Sequence, residues 1–383
     1  IDPAGQVTRF RFNRAGRLVT LTNANNQQWR FDYTPEGLLT RQHDYAGRQT
    51  EYQYNAMQQV ATLVRHPASG SGLSPLVTNY EYDALGRMVV RETEQHRTEY
   101  RYNALTTEIH RFPYSAWRQA MIDQREPENG EVVVFRRNKL GDLVGEENHS
   151  GVYLHQYDAL SNLSATTFPD GRQLQYLRYG TGHLLEMQLA VGGNTLPVAS
   201  YQRDKLHRET RRTTGAVELE THYDIAGRIS QRRCVDNVRQ RLVFERRYQW
   251  DRADQIIRQM YTDGAPSTPA DKYRQSLWGY DAAGRMTQSI QPSGEERFWY
   301  DAADNRTTAD LPPVWDNLLK RLDGVRREYD GFGRMTERHD THRGIVQRFS
   351  YDDEQRISQV LIEGDAEFSK AEYRYDALGR RTE

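Results

Sequence analysis

A six-residue phrase recurs along the chain, and a chain built from one repeated phrase is confined to repeat architectures before anything else is considered. Tyr82-Asp83-Ala84-Leu85-Gly86-Arg87 returns as Tyr223-Asp224-Ile225-Ala226-Gly227-Arg228 and Tyr280-Asp281-Ala282-Ala283-Gly284-Arg285. It returns again as Tyr329-Asp330-Gly331-Phe332-Gly333-Arg334 and Tyr375-Asp376-Ala377-Leu378-Gly379-Arg380. Looser copies sit at Phe12-Asn13, Tyr33-Thr34, Tyr54-Asn55, Tyr102-Asn103, Arg137-Asn138 and Tyr157-Asp158, and at Tyr179-Gly180, Arg203-Asp204, Trp250-Asp251, Tyr300-Asp301 and Tyr351-Asp352. These 16 units lie 20 to 35 residues apart with no linker between them, so the 383 residues read as one run without an internal domain boundary.

Each unit reads as strand, turn, strand. Ahead of the turn, aromatics alternate with polar residues, as in Tyr80 and Tyr82, Tyr100 and Tyr102, or Phe349 and Tyr351. A period of two is the strand period and puts each pair on one face of a sheet. Asp at the first turn position accepts a hydrogen bond from the backbone two residues on, and Gly at the fourth takes a positive φ. The expected fold class is therefore all-β, an antiparallel hairpin ribbon.

A second turn falls at a nearly fixed distance. Twelve residues on from the motif's Asp or Asn lie Asn25, Gln95, Ser150, Asp170, Asp236, Asp263, Ser293 and His342. The way back varies in length, so insertions gather along one edge, where repeat proteins often carry function. Residues 66–79 and 262–270 read as flexible loops. Residues 310–324 read as a short helix: Pro312 and Pro313 start it, Val314, Trp315, Leu318, Leu319 and Leu322 form its stripe, and Gly324 ends it. Residues 114–124 read as a second helix. Such helices cover apolar sheet surface; the sharper reading makes Trp315, Leu318 and Leu322 a candidate contact for cargo or an edge.

Composition narrows the function. With 52 basic against 53 acidic residues the net charge is −1, which excludes a large sequence-independent nucleic-acid term. There is no apolar run long enough for a membrane span and no visible leader, and Ile1 reads as a cut end. One cysteine, Cys234, excludes an internal disulfide framework. Hydrophobic content is only 37%, yet 24 tyrosines argue for order, as in a one-layer wall with two partly wet faces.

Candidate chemistry is thin. His339 and His342 flank Asp340 on a hairpin, Cys234 follows Arg232 and Arg233, and the adjacent carboxylates Glu146-Glu147 and Asp352-Asp353 point to opposite strand faces, unlike a glycosidase pair. No phosphate loop, nucleophile elbow or zincin motif occurs. The 47 arginines, against 5 lysines, often occupy the fixed turn position, where they pair with carboxylates and stack on Tyr. We expect no catalytic, cofactor or metal residues, and no enzyme.

The repeated phrase resembles that of the YD-repeat proteins: bacterial Rhs proteins, the B and C components of Tc-type insecticidal toxins, and the metazoan teneurins. The resemblance covers essentially the whole chain. It implies a ribbon spiralling into a hollow shell that, in bacterial members, encloses a C-terminal toxin domain. Tyr82, Asp83, Gly86, Arg87 and their counterparts in the other four full copies are then structural. The partners implied are the toxin domain of the same full-length chain, the remaining shell segments and a secretion-apparatus or delivery protein, in an effector of interbacterial competition made in the bacterial cytoplasm and delivered to target cells. The family's D-P-x-G-L-type segment is not found, so the chain reads as wall without cleavage site or toxin. The alternative is a cell-surface or carbohydrate-binding adhesion module. About 32 strands at roughly 4.8 Å make a ribbon on the order of 150 Å long and roughly 23 Å wide. Rolled into a ring about 50 Å across, it encircles a toxin of about 100 residues but leaves both ends open.

Overall fold

Short strands alternate with tight turns from Arg9 to Glu372. The computed structural model describes residues 1–127, 130–264, 274–364 and 367–382, and the fold is all-β and antiparallel. Packing groups the chain into two compact units although no linker marks a division. The first comprises Ile1–Phe135, Glu147–His149 and Trp299–Glu383; the second comprises Arg136–Glu146 and Ser150–Phe298. In the first unit each strand from Arg9–Phe12 to Thr106–Pro113 pairs with the next, and so do those from Arg321–Leu322 to Lys370–Glu372. In the second, the same meander runs from Gly151–Tyr157 to Gly294–Arg297.

The motif folds as a three-residue hairpin loop. The Gly86 amide donates to the Asp83 carbonyl at 2.9 Å and the Asp83 amide to the Arg87 carbonyl at 2.9 Å. Gly86 closes the loop at φ 79°, and Gly227, Gly284, Gly333 and Gly379 do the same at φ 86°, 83°, 80° and 78°. A bulge follows, because Tyr82 pairs with Met88 while Glu81 pairs with Val90, leaving Val89 over. The left-handed position also holds Gln58, Ser161, His207, Asp254, Asp304 and Gln355, at φ between 58° and 68°.

The interior is thin. Small polar side chains such as Thr20, Thr78, Thr98, Thr166, Thr221 and Ser276 are buried on strands, and Val133 and Asp376 are the largest side chains wholly inside among the described residues. In the first unit Ile109, Val133 and Ala377 cluster, with Tyr100 and Phe135 packed on them.

Of the two expected helices one forms. Tyr114–Ile122 is helical. Trp117 donates to Glu99 at 3.0 Å, Arg97 lies 4.1 Å over the Trp117 ring, and Ala120 is fully buried. Residues 310–324 are not a helix. They hold a single 3-10 turn, Trp315–Asn317, and then the strand Arg321–Leu322. The apolar stripe is outweighed by polar partners: Asp316 and Asn317 sit at φ 61° and 54°, where Asp316 accepts from Gln27 at 3.1 Å and Asn317 from Asn305 at 3.0 Å. Of the loop expected at 66–79, residues 66–75 are loop, but 76–79 belong to the strand Leu76–Tyr82, which pairs with Val60–Arg65. Of the loop expected at 262–270, Thr262 and Asp263 instead end the strand Ile256–Asp263, and residues 265–270 lie outside the described residues.

Candidate functional site

The repeat cassette is the smallest unit of the site. In the Asp83 turn one carboxylate oxygen accepts the amides of Leu85 and Arg87, both at 2.9 Å, and the other accepts Arg87 Nε at 2.7 Å. The Arg87 amide and then its guanidinium hold Asp83 below the usual carboxylate range. The Asp224, Asp281, Asp330 and Asp376 turns repeat the pattern with Arg228, Arg285, Arg334 and Arg380. The arginine then reaches the aromatic of the following unit: Arg87 lies 4.4 Å over Tyr102, Arg334 4.8 Å over Tyr351 and Arg356 4.4 Å over Tyr375.

Many motif hydroxyls reach back to the unit before, whereas that of Tyr179 lies 3.3 Å from His207 Nδ1 of the unit after. Tyr102 donates to the Met88 carbonyl at 2.9 Å, Tyr157 to Leu143 at 2.9 Å, Tyr223 to Glu209 at 2.8 Å, Tyr351 to Met335 at 2.7 Å and Tyr375 to Ile357 at 2.7 Å. In every case the acceptor directly follows the turn's fifth residue. Burial pushes the Tyr102, Tyr157 and Tyr351 hydroxyls above the ordinary phenol range, which keeps them protonated and donating. Stacked and tied in this way, consecutive units do not part without breaking several contacts together.

A second arrangement lies inside the first unit. There the motif turns of the late repeats seat on the second-turn side of the early ones. Asp301 accepts from Asn25 at 2.9 Å and from the Val314 amide at 2.8 Å. The Gly331 carbonyl accepts the Ala68 amide at 2.7 Å. Asp353 accepts the Gln95 amide at 2.8 Å and lies 2.9 Å from His96 Nδ1. Glu354 is bound by Arg91, Arg356 and, at 3.0 Å, Arg111. Ala377 closes the row on Ile109 and Val133. Burial pushes the Asp353 carboxyl up, but hydrogen bonds from His96, Thr93 and the Gln95 amide outweigh it and hold the group at about 2. Burial likewise opposes ionisation of Glu354, and Arg91, Arg111 and Arg356 outweigh it, keeping its carboxyl below the usual range.

The residues singled out in the sequence fall in different places. Trp315 is exposed and, with Leu318, Pro312, Pro313 and Leu319, lines a groove of about 240 Å³. Leu322 is not beside them on the surface; it is buried, as are Val314 and Val325. His339 lies in the strand Met335–Asp340, while His342 is in the turn beyond, its amide donating to Asp340 at 3.2 Å. Among the described residues no group of three or more His, Cys, Asp or Glu side chains is arranged to hold a metal ion. Cys234 is buried between strand partners Leu219 and Phe244, and burial pushes its thiol up, away from nucleophile chemistry. Asp352-Asp353 divides its labour: Asp352 holds its own turn through the Glu354 and Arg356 amides, and Asp353 binds the early repeats. The sequence carried that signal, since Asp353-Glu354 stands where other copies have Ala-Leu.

The family model RHS Repeat matches residues 1–28 and 33–71. The chain is 28% identical over 399 residues to the double-stranded DNA deaminase toxin A of Burkholderia cenocepacia (strain H111), an alignment covering 100% of this chain and 26% of that protein. It is 26% identical over 268 residues to the toxin protein Tse5 of Pseudomonas aeruginosa, covering 59% of this chain and 19% of that one. The chain thus spans about a quarter or less of these relatives. Among solved structures, the TcdB2-TccC3-Cdc42 crystal structure aligns with 98% of this chain and 19% of its own, at 12% identity and a TM-score of 0.48. The recurring Tyr-Asp turn, the antiparallel hairpin meander, the RHS Repeat match over residues 1–28 and 33–71 and these toxin relatives support an Rhs/YD-repeat family for the chain.

Proposed function

We propose that the chain is a wall segment of an Rhs-type polymorphic toxin, limiting access to a toxin domain carried elsewhere in the same full-length protein. One observation carries the reading: the whole chain aligns, at 28% identity, with 26% of the length of a toxin. The wall performs no chemistry in this reading. The toxin supplies the activity, the wall withholds it, and a delivery or secretion protein brings both from the bacterial cytoplasm to the target cell. No helix among the described residues is long and apolar enough to cross a membrane.

The physics of the cassette supports such a role. A barrier fails by opening between neighbouring strands. Here each such opening breaks backbone ladder bonds and, at the motif, a tyrosine hydroxyl bond of about 1 kcal/mol net. Arginine–tyrosine stacks and small buried threonines fill the wall.

The test uses the full-length protein and added protease. The toxin domain is expected to resist cleavage in the intact protein. It is expected to be cut at least tenfold faster when residues 1–383 are deleted, and also when Arg111→Ala and Glu354→Ala together open the row of contacts in the first unit. Equal cleavage of the intact and deleted proteins overturns the container reading. Tight glycan binding by the intact protein, with no protection of the toxin, moves the assignment to the adhesion alternative.

A further inference from the structure

We infer that the first unit carries a binding site for a soluble organic phosphate, with the phosphate in a basic cavity and a planar body in the adjoining groove over Trp315. The cavity, of about 460 Å³, is lined by Arg48, Lys320, Arg321, Arg326 and Arg327. Its size is that of small-ligand sites. Three carboxylates also line it, Asp316, Glu328 and Asp330, and two of them are already engaged. Asp316 accepts from Gln27, and Asp330 holds the Phe332 and Arg334 amides and the Arg334 guanidinium. Arg48 is bound to Asp44 at 2.5 Å. That leaves Glu328 against four cations, none of which makes an ion pair among the described residues. Elsewhere the motif arginines each meet a carboxylate, so this surplus is a local departure in a chain whose charges balance.

Two features of the cavity call for an anion. Arg321 and Arg326 stand directly opposite each other on their hairpin, where like charges repel. Arg327 Nη1 is buried without a hydrogen-bond partner, which costs free energy until an acceptor arrives. An oxyanion bound here offsets both. A carboxylate brings two oxygens and one charge, whereas a phosphate monoester brings three terminal oxygens and nearly two charges, the better match to this many donors. The groove shares Leu318, Lys320 and Arg321 with the cavity, so one ligand reaches both. Its walls include Pro312, Pro313 and the Trp315 ring, which is 59% exposed and open to stacking. Thr307 lines the same groove; it is buried and its hydroxyl has no partner. An acyl chain would leave that hydroxyl unsatisfied, while a heterocycle or sugar can bond it. The ligand class is therefore a nucleotide-like monophosphate rather than a lipid headgroup. The inference does not rest on the container reading.

Calorimetric titration of the full-length protein with adenosine monophosphate and with inorganic phosphate tests it. Saturable binding is expected for both, with adenosine monophosphate roughly tenfold tighter through stacking on Trp315. Arg321→Gln combined with Arg326→Gln, both exposed side chains, is expected to weaken both ligands roughly tenfold or more. The same double variant should unfold, without ligand, at an unchanged or higher temperature, because it also removes the repulsion across the hairpin. Arg321→Lys with Arg326→Lys keeps the charge and is expected to restore part of the binding, which separates loss of the site from misfolding. Trp315→Ala is expected to abolish the preference for adenosine monophosphate and leave inorganic phosphate binding as it was. No saturable binding by the wild type, or equal binding by the wild type and the glutamine variant, overturns the site. Capture on phosphatidic acid vesicles without binding of adenosine monophosphate overturns it as well.

Discussion

Gln58 and Ser161 stand where the motif has glycine, at φ 61° and 58°, a conformation that costs an L-residue roughly 1–2 kcal/mol. The turn survives because Asn55 still accepts the Met57 and Gln59 amides at 2.9 and 3.0 Å, and Asp158 those of Leu160 and Asn162 at 2.9 Å. Gln58→Gly and Ser161→Gly are therefore each expected to raise stability by about 1 kcal/mol, and Gly227→Val to lower it by about 1–2 kcal/mol. A Cβ at Gly227 would meet only the Arg208 guanidinium, at 3.4 Å, so the cost is torsional rather than steric. Urea unfolding midpoints decide it; a stabilising Gly227→Val would refute the turn account. The Asp and Gly of the turn were legible in the sequence because their roles are local. The hydroxyl bond from Tyr102 to Met88 was not, because local rules do not say which carbonyl a ring will lie over. Its trace is a spacing of 14 residues, shared by Tyr157 with Leu143 and Tyr223 with Glu209.

Among whole elements, the difference between 114–124 and 310–324 shows where pattern reading stops. Both carry an apolar stripe. The first is helical because its stripe meets a sheet face, with Trp117 on Arg97 and Glu99. The second follows Pro312-Pro313, which favours extended backbone, and its polar residues find partners far away in sequence that a single sequence does not reveal. The 352–356 turn belongs to this scale too, and it is acid-sensitive. Asp353 titrates at about 2 when folded, against 3.8 for a free carboxyl, so folding favours the charged form. Its stabilisation, about 2 kcal/mol, is complete above about pH 5 and is lost as the pH falls through 4 towards 2. Unfolding free energies of the wild type and Asp353→Asn, measured from pH 6 to pH 2, should differ most at the upper end and converge at the lower. A constant difference across that range would exclude the linkage.

The first compact unit is discontinuous in sequence, joining Ile1–Phe135 with Trp299–Glu383. Counting repeats foresaw the hairpins but not this partition, because every repeat looks able to follow every other. What selects the pairing is a few departures from the consensus, foremost Asp353-Glu354 against Arg91, His96 and Arg111. Removing the Glu354 carboxylate takes the counter-charge from between three guanidinium groups, one of them on the buried Arg111. The loss of one partner from such a buried cluster costs about 3–5 kcal/mol. In Glu354→Ala, hydrogen exchange is therefore expected to quicken in Met88–Glu92, Thr106–Pro113 and Ile357–Glu363. Strands of the second unit, such as Gln173–Tyr179 and His183–Val191, should exchange as before. Equal quickening in both units would make the chain one cooperative body and dissolve the partition. No quickening in either would mean that the row from Asp301 to Ala377 holds without its most highly charged contact, through the hydrogen bonds of Asp301, Gly331 and Asp353 and the seating of Ala377.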